Sequence, residues 1–198
     1  TDPDAWHGED DNRELPADLG RGYVHKVAGA LHADRAGEAL TILNRGISGN
    51  RIVDLYARWK VDCLNLSPTL LSILIGVNDT WHHFTADNGV EVPRYERFYR
   101  ELLEWTRTQR PDIRLVLGEP FVLKTGVVTD DWVEEIRQRQ AIVRRLAEEF
   151  DAVFVGFQAM FDQAAKQAPP AHWLAEGVHP TNAGHQRMAE LWLETVVG

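Results

Sequence analysis

Thr69-Leu70-Leu71-Ser72-Ile73-Leu74-Ile75 is an almost unbroken apolar run that stops at Gly76, with the polar pair Asn78-Asp79 just beyond. A run of that length closed by a glycine predicts a strand buried on both faces, as in a parallel sheet. Downstream, Tyr95, Phe98, Tyr99, Leu102 and Thr106 share one face of a helix that follows Pro93. A strand is expected over 113–117, ending in Gly118-Glu119-Pro120. A long helix then starts at Asp130 or Asp131, its inner stripe Val133, Ile136, Gln140, Val143, Ala147 and Phe150, with Glu135 and Arg139 as an exposed pair. A strand over 152–155 and a helix over 183–197 complete this half. Upstream, Tyr23, Val27, Ala30 and Leu31 predict a helix to about Arg35, and 39–43 a short strand. Asn50 is the expected N-cap of a helix through Trp59. Residues 1–20 read as a loop.

Strand and helix alternate, so the expected architecture is α/β, a parallel sheet with helices on both faces, in one domain over 1–198. The 198 residues, 44% hydrophobic, suffice for one sizeable core. A strand expected before Tyr23 is missing from the pattern. The formal charge of -9 and the scatter of Lys and Arg among carboxylates exclude the clustered basic face that nucleic acid or an anionic membrane surface requires. No apolar run reaches the ~20 residues of a transmembrane helix. Cys63 is the one cysteine; no intramolecular disulfide is possible, and a buried apolar role is expected for it.

In open parallel sheets ligands sit beyond the carboxyl ends of the strands, which directs attention to three loops. Gly46-Ile47-Ser48-Gly49-Asn50 can turn backbone N–H groups toward an anion, or can simply be a turn needing positive φ. Gly76-Val77-Asn78-Asp79-Thr80-Trp81 ends a buried strand, and Asn and Asp also suit a plain turn. In Glu176-Gly177-Val178-His179-Pro180-Thr181 a carboxylate three residues before a histidine can hold one imidazole nitrogen and leave the other as a general base. Trp81 suits either a sugar-stacking platform or core packing. His82 and His83 stand where they could line the mouth of a site. No third ligand with suitable spacing joins them, and no metal is expected. His185 reads as a packed or capping residue, and Trp6 as substrate-facing or a subunit contact.

Together Gly49, Asn78, Glu176 and His179 follow the order and approximate spacing of blocks II, III and V of the SGNH (GDSL) hydrolases, which the chain resembles over nearly its whole length. The flanks, Ala57-Arg58-Trp59, Ser72 to Trp81 and Val178 to His185, are similar to the acetyl xylan esterase branch. The resemblance implies a three-layer α/β/α flavodoxin-like sheet with strand order 2-1-3-4-5. It further implies a serine esterase without cofactor, acting on O-acetyl groups of xylo-oligosaccharides or related carbohydrates. Gly49 and Asn78 would donate to the oxyanion, His179 would be the general base, and Glu176 would orient it. Homo-oligomerisation and a cytoplasmic location are implied in the same way.

Two positions depart from that pattern. The family has Asp where this chain has Glu176, one methylene longer. The Gly-Asp-Ser block is not present: the chain has three serines, Ser48, Ser67 and Ser72, and none is expected on a strand-to-helix turn facing His179. The first strand, ending in that block, is therefore expected upstream of Thr1. Competing readings are a lipase or general carboxylesterase of the same superfamily, and a carbohydrate-binding homologue without catalysis.

Overall fold

The computed structural model describes residues 19–198, so most of the expected loop over 1–20, Trp6 included, lies outside the described residues. Helices α1 (Tyr23–Asp34) and α2 (Ile52–Asp62) precede strand β1 (Leu70–Leu74), which leads directly into α3 (Val77–Ala86) and then α4 (Val92–Gln109). Strand β2 (Arg114–Gly118), α5 (Asp130–Glu149) and β3 (Val153–Val155) follow, and α6 (Phe157–Ala164), α7 (Pro170–Trp173) and α8 (Asn182–Val196) end the chain. The strands are parallel in the order β1-β2-β3, with Leu70 opposite Arg114 and Val116 opposite Val153.

Side-chain alternation along β2 builds two cores. Leu115 and Leu117 face Ile52, Trp59, Tyr95, Tyr99, Leu102, Val143 and Leu146, from α2, α4 and α5. Val116 faces Val27, Phe157, Phe161, Met188 and Trp192, from α1, α6 and α8. The result is three layers, α/β/α, with α4 held by its stripe of Tyr95, Tyr99, Leu102, Leu103 and Thr106. Thr106 accepts the Trp59 indole N–H at 2.9 Å, so the polar edge of that buried ring is satisfied. His185 is buried in α8 and its Nδ1 accepts from the Tyr23 N–H at 3.1 Å, covering one of the open donors at the start of α1. Cys63 is buried, and burial pushes its thiol up to about 12. No helix among the described residues is long and apolar enough to cross a membrane.

Several local expectations are corrected. Residues 39–43 form no strand: a short extended segment needs a ladder neighbour, and among the described residues it has none. β1 is not buried on both faces. Its edge away from β2 is unpaired among the described residues, and Ser72 is exposed, its Oγ taking the Trp192 indole N–H at 3.1 Å. The cap of α2 is Arg51, whose N–H donates to Asp54 Oδ2 at 2.9 Å, while the Asn50 side chain instead accepts from Arg58 at 2.8 Å. The segment after Gly76 is a helix, and α6 was not anticipated.

The largest correction concerns Arg139. It is not an exposed partner of Glu135; its side chain has no solvent exposure. Its guanidinium donates to Thr80 Oγ1 at 2.9 Å, to Glu135 Oε1 at 2.6 Å and to the Val90 carbonyl at 2.6 Å, and lies 4.9 Å from the Tyr95 ring centre. Thr80 in turn donates to Glu135 Oε1 at 2.8 Å, so α3 is bolted to α5. Next to it Asp79, fully buried, accepts the Ile52 N–H at 3.1 Å and ties α3 to the start of α2.

Burial pushes the Asp79 carboxyl up to about 7 against the pull of Arg139 and Arg51, with the Tyr95 phenol also nearby. The ordinary value is 3.8, so between pH 4 and 7 the folded chain holds a proton that the unfolded chain has released. Stability attributable to this residue therefore falls as pH rises through that window. In urea titrations at pH 4.5 and 7.5, Asp79→Asn should gain about 2–3 kcal/mol on the unsubstituted protein between the two pH values. Equal differences at both pH values would refute this.

Candidate active site

Asn78 and Trp81 lie just beyond the carboxyl end of β1, and their contacts bring the Gly49 loop and the His179 loop to the same place. Only two residues separate β1 from α3 because Gly76, at φ +128°, turns the chain sharply there. A Cβ at that position would come within 2.9 Å of the Tyr95 hydroxyl, so only glycine fits. Asn78 and Trp81 then share one face of α3, three residues apart. Gly49 is at φ +76° in the loop before α2, where Asn50 N–H returns to the Ile47 carbonyl at 3.3 Å. Asn78 Nδ2 donates to the Asn50 carbonyl at 3.2 Å, and His82 Nε2 meets the Gly49 carbonyl at 3.1 Å. The amide of Asn78 has a second proton for another acceptor.

His179 and Glu176 stand on the loop between α7 and α8. Glu176 Oε1 accepts the His179 backbone N–H at 2.9 Å and also engages its Nδ1. With Nδ1–H held by the carboxylate, Nε2 is the basic nitrogen of the ring. Side-chain exposures of 25% for His179 and 30% for Glu176 leave the pair accessible to a substrate. The extra methylene of Glu176 is thus no obstacle to reach.

The loop is pinned from outside by residues 123–128. Leu123 N–H donates to the Gly177 carbonyl at 2.9 Å and Val127 N–H to the Glu176 carbonyl at 3.1 Å. Gly177, at φ +100°, passes so close that a Cβ would lie 2.5 Å from the Leu123 and Thr125 carbonyl oxygens. From inside, Ala175 N–H donates to the His179 carbonyl at 2.9 Å, and Thr181 caps α8 through Gly184.

Trp81 links the two halves. Its ring centre is 5.5 Å from that of His179 and 5.4 Å, edge to face, from Trp132. Phe84 stacks on Trp132 at 5.6 Å and is 40% exposed, so an aromatic row runs from His179 to the surface. Sequence reasoning did not single out Trp132, Phe84 or Asp79 for the site. Trp132 and Phe84 carried no signal beyond their type, and Asp79 passed for a turn residue. His83 pairs with Glu135 at 2.6 Å and does not reach the His179 pair. Among the described residues no group of three or more His, Cys, Asp or Glu is placed to hold a metal ion.

Comparison with known proteins fits this geometry. Residues 7–187 match the model of the GDSL-like lipase/acylhydrolase family. The chain is 34% identical, over 90% of its own length and 82% of the relative's, to an acetylxylan esterase of Geobacillus stearothermophilus. The crystal structure of that esterase superposes with a TM-score of 0.82 over the same shares of both chains. Two further structures of it are of catalytic mutants, one with a serine and one with an aspartate replaced by alanine. A protein of Parabacteroides merdae described as a GDSL-like lipase is 43% identical over 89% of this chain and 82% of its own, with a TM-score of 0.84. With the family model spanning most of its length and 82% of each of these relatives covered, the chain belongs to the GDSL-like lipase/acylhydrolase family and is a carboxylic ester hydrolase.

Proposed function

We propose that the protein removes O-acetyl groups from xylo-oligosaccharides or a related carbohydrate, using a Ser-His-acid triad. The carrying observation is the double grip of Glu176 on His179, through the backbone N–H and through Nδ1. A carboxylate so placed fixes the tautomer and stabilises the imidazolium that forms when the base takes a proton. The reaction runs as acyl transfer. A serine oxygen attacks the ester carbonyl as His179 Nε2 takes its proton, and the oxyanion meets Gly49 N–H and Asn78 Nδ2. Collapse expels the sugar hydroxyl, protonated by His179, and water repeats the sequence to release acetate. Trp81, beside His179, gives the sugar an apolar surface to lie against.

The nucleophile is not one of the three serines in the chain. Ser67 precedes the amino end of β1, opposite the His179 end, and the Ser72 hydroxyl is engaged by Trp192. Ser48 sits in the loop of Gly49 itself. The edge of β1 that is unpaired among the described residues is where a further parallel strand would place a serine at the carboxyl end of the sheet, as the family resemblance implies. A catalytic mutant of the Geobacillus relative has an aspartate replaced by alanine, and Glu176 is the carboxylate that takes the orienting part here. Cytoplasmic action and self-association belong to this reading through the resemblance alone.

A fluorophosphonate probe applied to the protein with its natural N-terminus should label one serine. His179→Ala should abolish labelling, Glu176→Gln should lower kcat by on the order of 10³, and Ser48→Ala should leave labelling intact. Labelling that survives His179→Ala, or is lost with Ser48, would refute the assignment. Acetyl nitrophenyl ester should be cleaved with a higher kcat/KM than octanoyl; the reverse preference would mark a lipase instead.

A further inference from the structure

Three residues of α3 reach the same four-residue segment, 49–52, which leads into the first residue of α2. Asn78 donates to the Asn50 carbonyl, Asp79 accepts from Ile52 N–H, and His82 Nε2 meets the Gly49 carbonyl at 3.1 Å. Gly49 has no side chain, sits at φ +76°, and has no heavy atom within 4 Å of where a Cβ would be. No side chain of its own anchors Gly49, so hydrogen bonds to its backbone bear directly on how its peptide groups are aimed. An oxyanion donor works only if its N–H is aimed within a few tenths of an ångström of the developing charge.

We propose that His82 is a positioning residue for the oxyanion-binding pair, its Nε2–H holding the Gly49 carbonyl so that Gly49 N–H and the Asn78 amide converge on one point. The proposal rests on the esterase reading above. Because Asn78 and His82 are four residues apart on one helix, the same backbone sets both donors, and the bond from His82 fixes the spacing between α3 and the Gly49 loop. The acceptor being a carbonyl, His82 must carry its proton on Nε2, and both the neutral Nε2–H tautomer and the cation satisfy it. His82 touches no reacting atom in this role. Its loss leaves substrate binding in place and weakens only the contacts that form in the transition state.

The test compares His82→Gln, which can still donate to the carbonyl, with His82→Phe and His82→Leu, which cannot. It uses the protein with its natural N-terminus and an acetyl nitrophenyl ester, and reads hydrogen exchange over residues 47–52 in parallel. Both donor-less variants should lose roughly 10- to 100-fold in kcat with KM within about twofold, and His82→Gln should recover most of it. Exchange over 47–52 should quicken in the Phe and Leu variants but not in the Gln variant, while β2 and α4 keep their protection. Unchanged kcat, equal damage in all three variants, or unchanged exchange over 47–52 would overturn the proposal. If the unsubstituted protein fails to cleave the ester, the esterase reading falls separately, and the exchange comparison alone decides whether His82 holds the Gly49 loop.

Discussion

A guanidinium withdrawn wholly from water must meet partners in a fixed geometry or cost the fold several kcal/mol. Arg139 meets them on three elements: Glu135 on its own helix, Thr80 on α3, and the Val90 carbonyl between α3 and α4. Nη1 has no hydrogen-bond acceptor, and the adjacent Tyr95 ring face supplies a cation–π contact in part compensation. Removing one member of such a buried ionic group typically costs about 3–5 kcal/mol. The position of α3 relative to the rest of the domain depends on this arrangement, and α3 carries Asn78, Trp81 and His82.

The site follows from two clamps of different kinds. On one side, buried polar contacts fasten α3 to α5 and to the start of α2, bringing Asn78 and Gly49 together. On the other, backbone contacts between residues 123–128 and Gly177 hold the loop of Glu176 and His179, at a separation that admits no Cβ. Trp81 packs between them, touching His179 and Trp132. Catalysis by preorganised donors needs both halves fixed before substrate arrives, since donors that must reorganise during the reaction lose most of their value.

What could be read from the sequence was whatever leaves a periodic trace. β1 and β2 were legible as apolar runs and α5 and α8 as stripes, each within a residue or two of the observed ends, and α4 as a stripe whose ends were not marked. Depth was not legible. Glu135 and Arg139 at i, i+4 look the same whether they face solvent or the core, and only the tertiary approach of Thr80 and Val90 distinguishes the two. Asn78-Asp79 after a glycine reads as a turn because these residues favour turns, whereas here they form the first turn of α3. The stripe Phe157, Phe161, Ala164 of α6 is two turns long and easily lost behind a strand. Of the site, the pairing of Glu176 with His179 was visible as a three-residue spacing. The contacts of His82 with Gly49 and of Trp81 with His179 join distant segments and leave no local pattern.

The central claim is that His179, Glu176, Gly49 and Asn78 act as one acyl-transfer site around a serine nucleophile. The most direct measurement is a crystal structure of the protein with its natural N-terminus after reaction with a phosphonate, whose tetrahedral adduct mimics the intermediate. The account predicts a phosphonyl oxygen about 3 Å from both Gly49 N and Asn78 Nδ2, with His179 Nε2 within hydrogen-bond reach of the modified serine. An adduct on Ser48, Ser67 or Ser72, or an oxygen that meets neither donor, would contradict it.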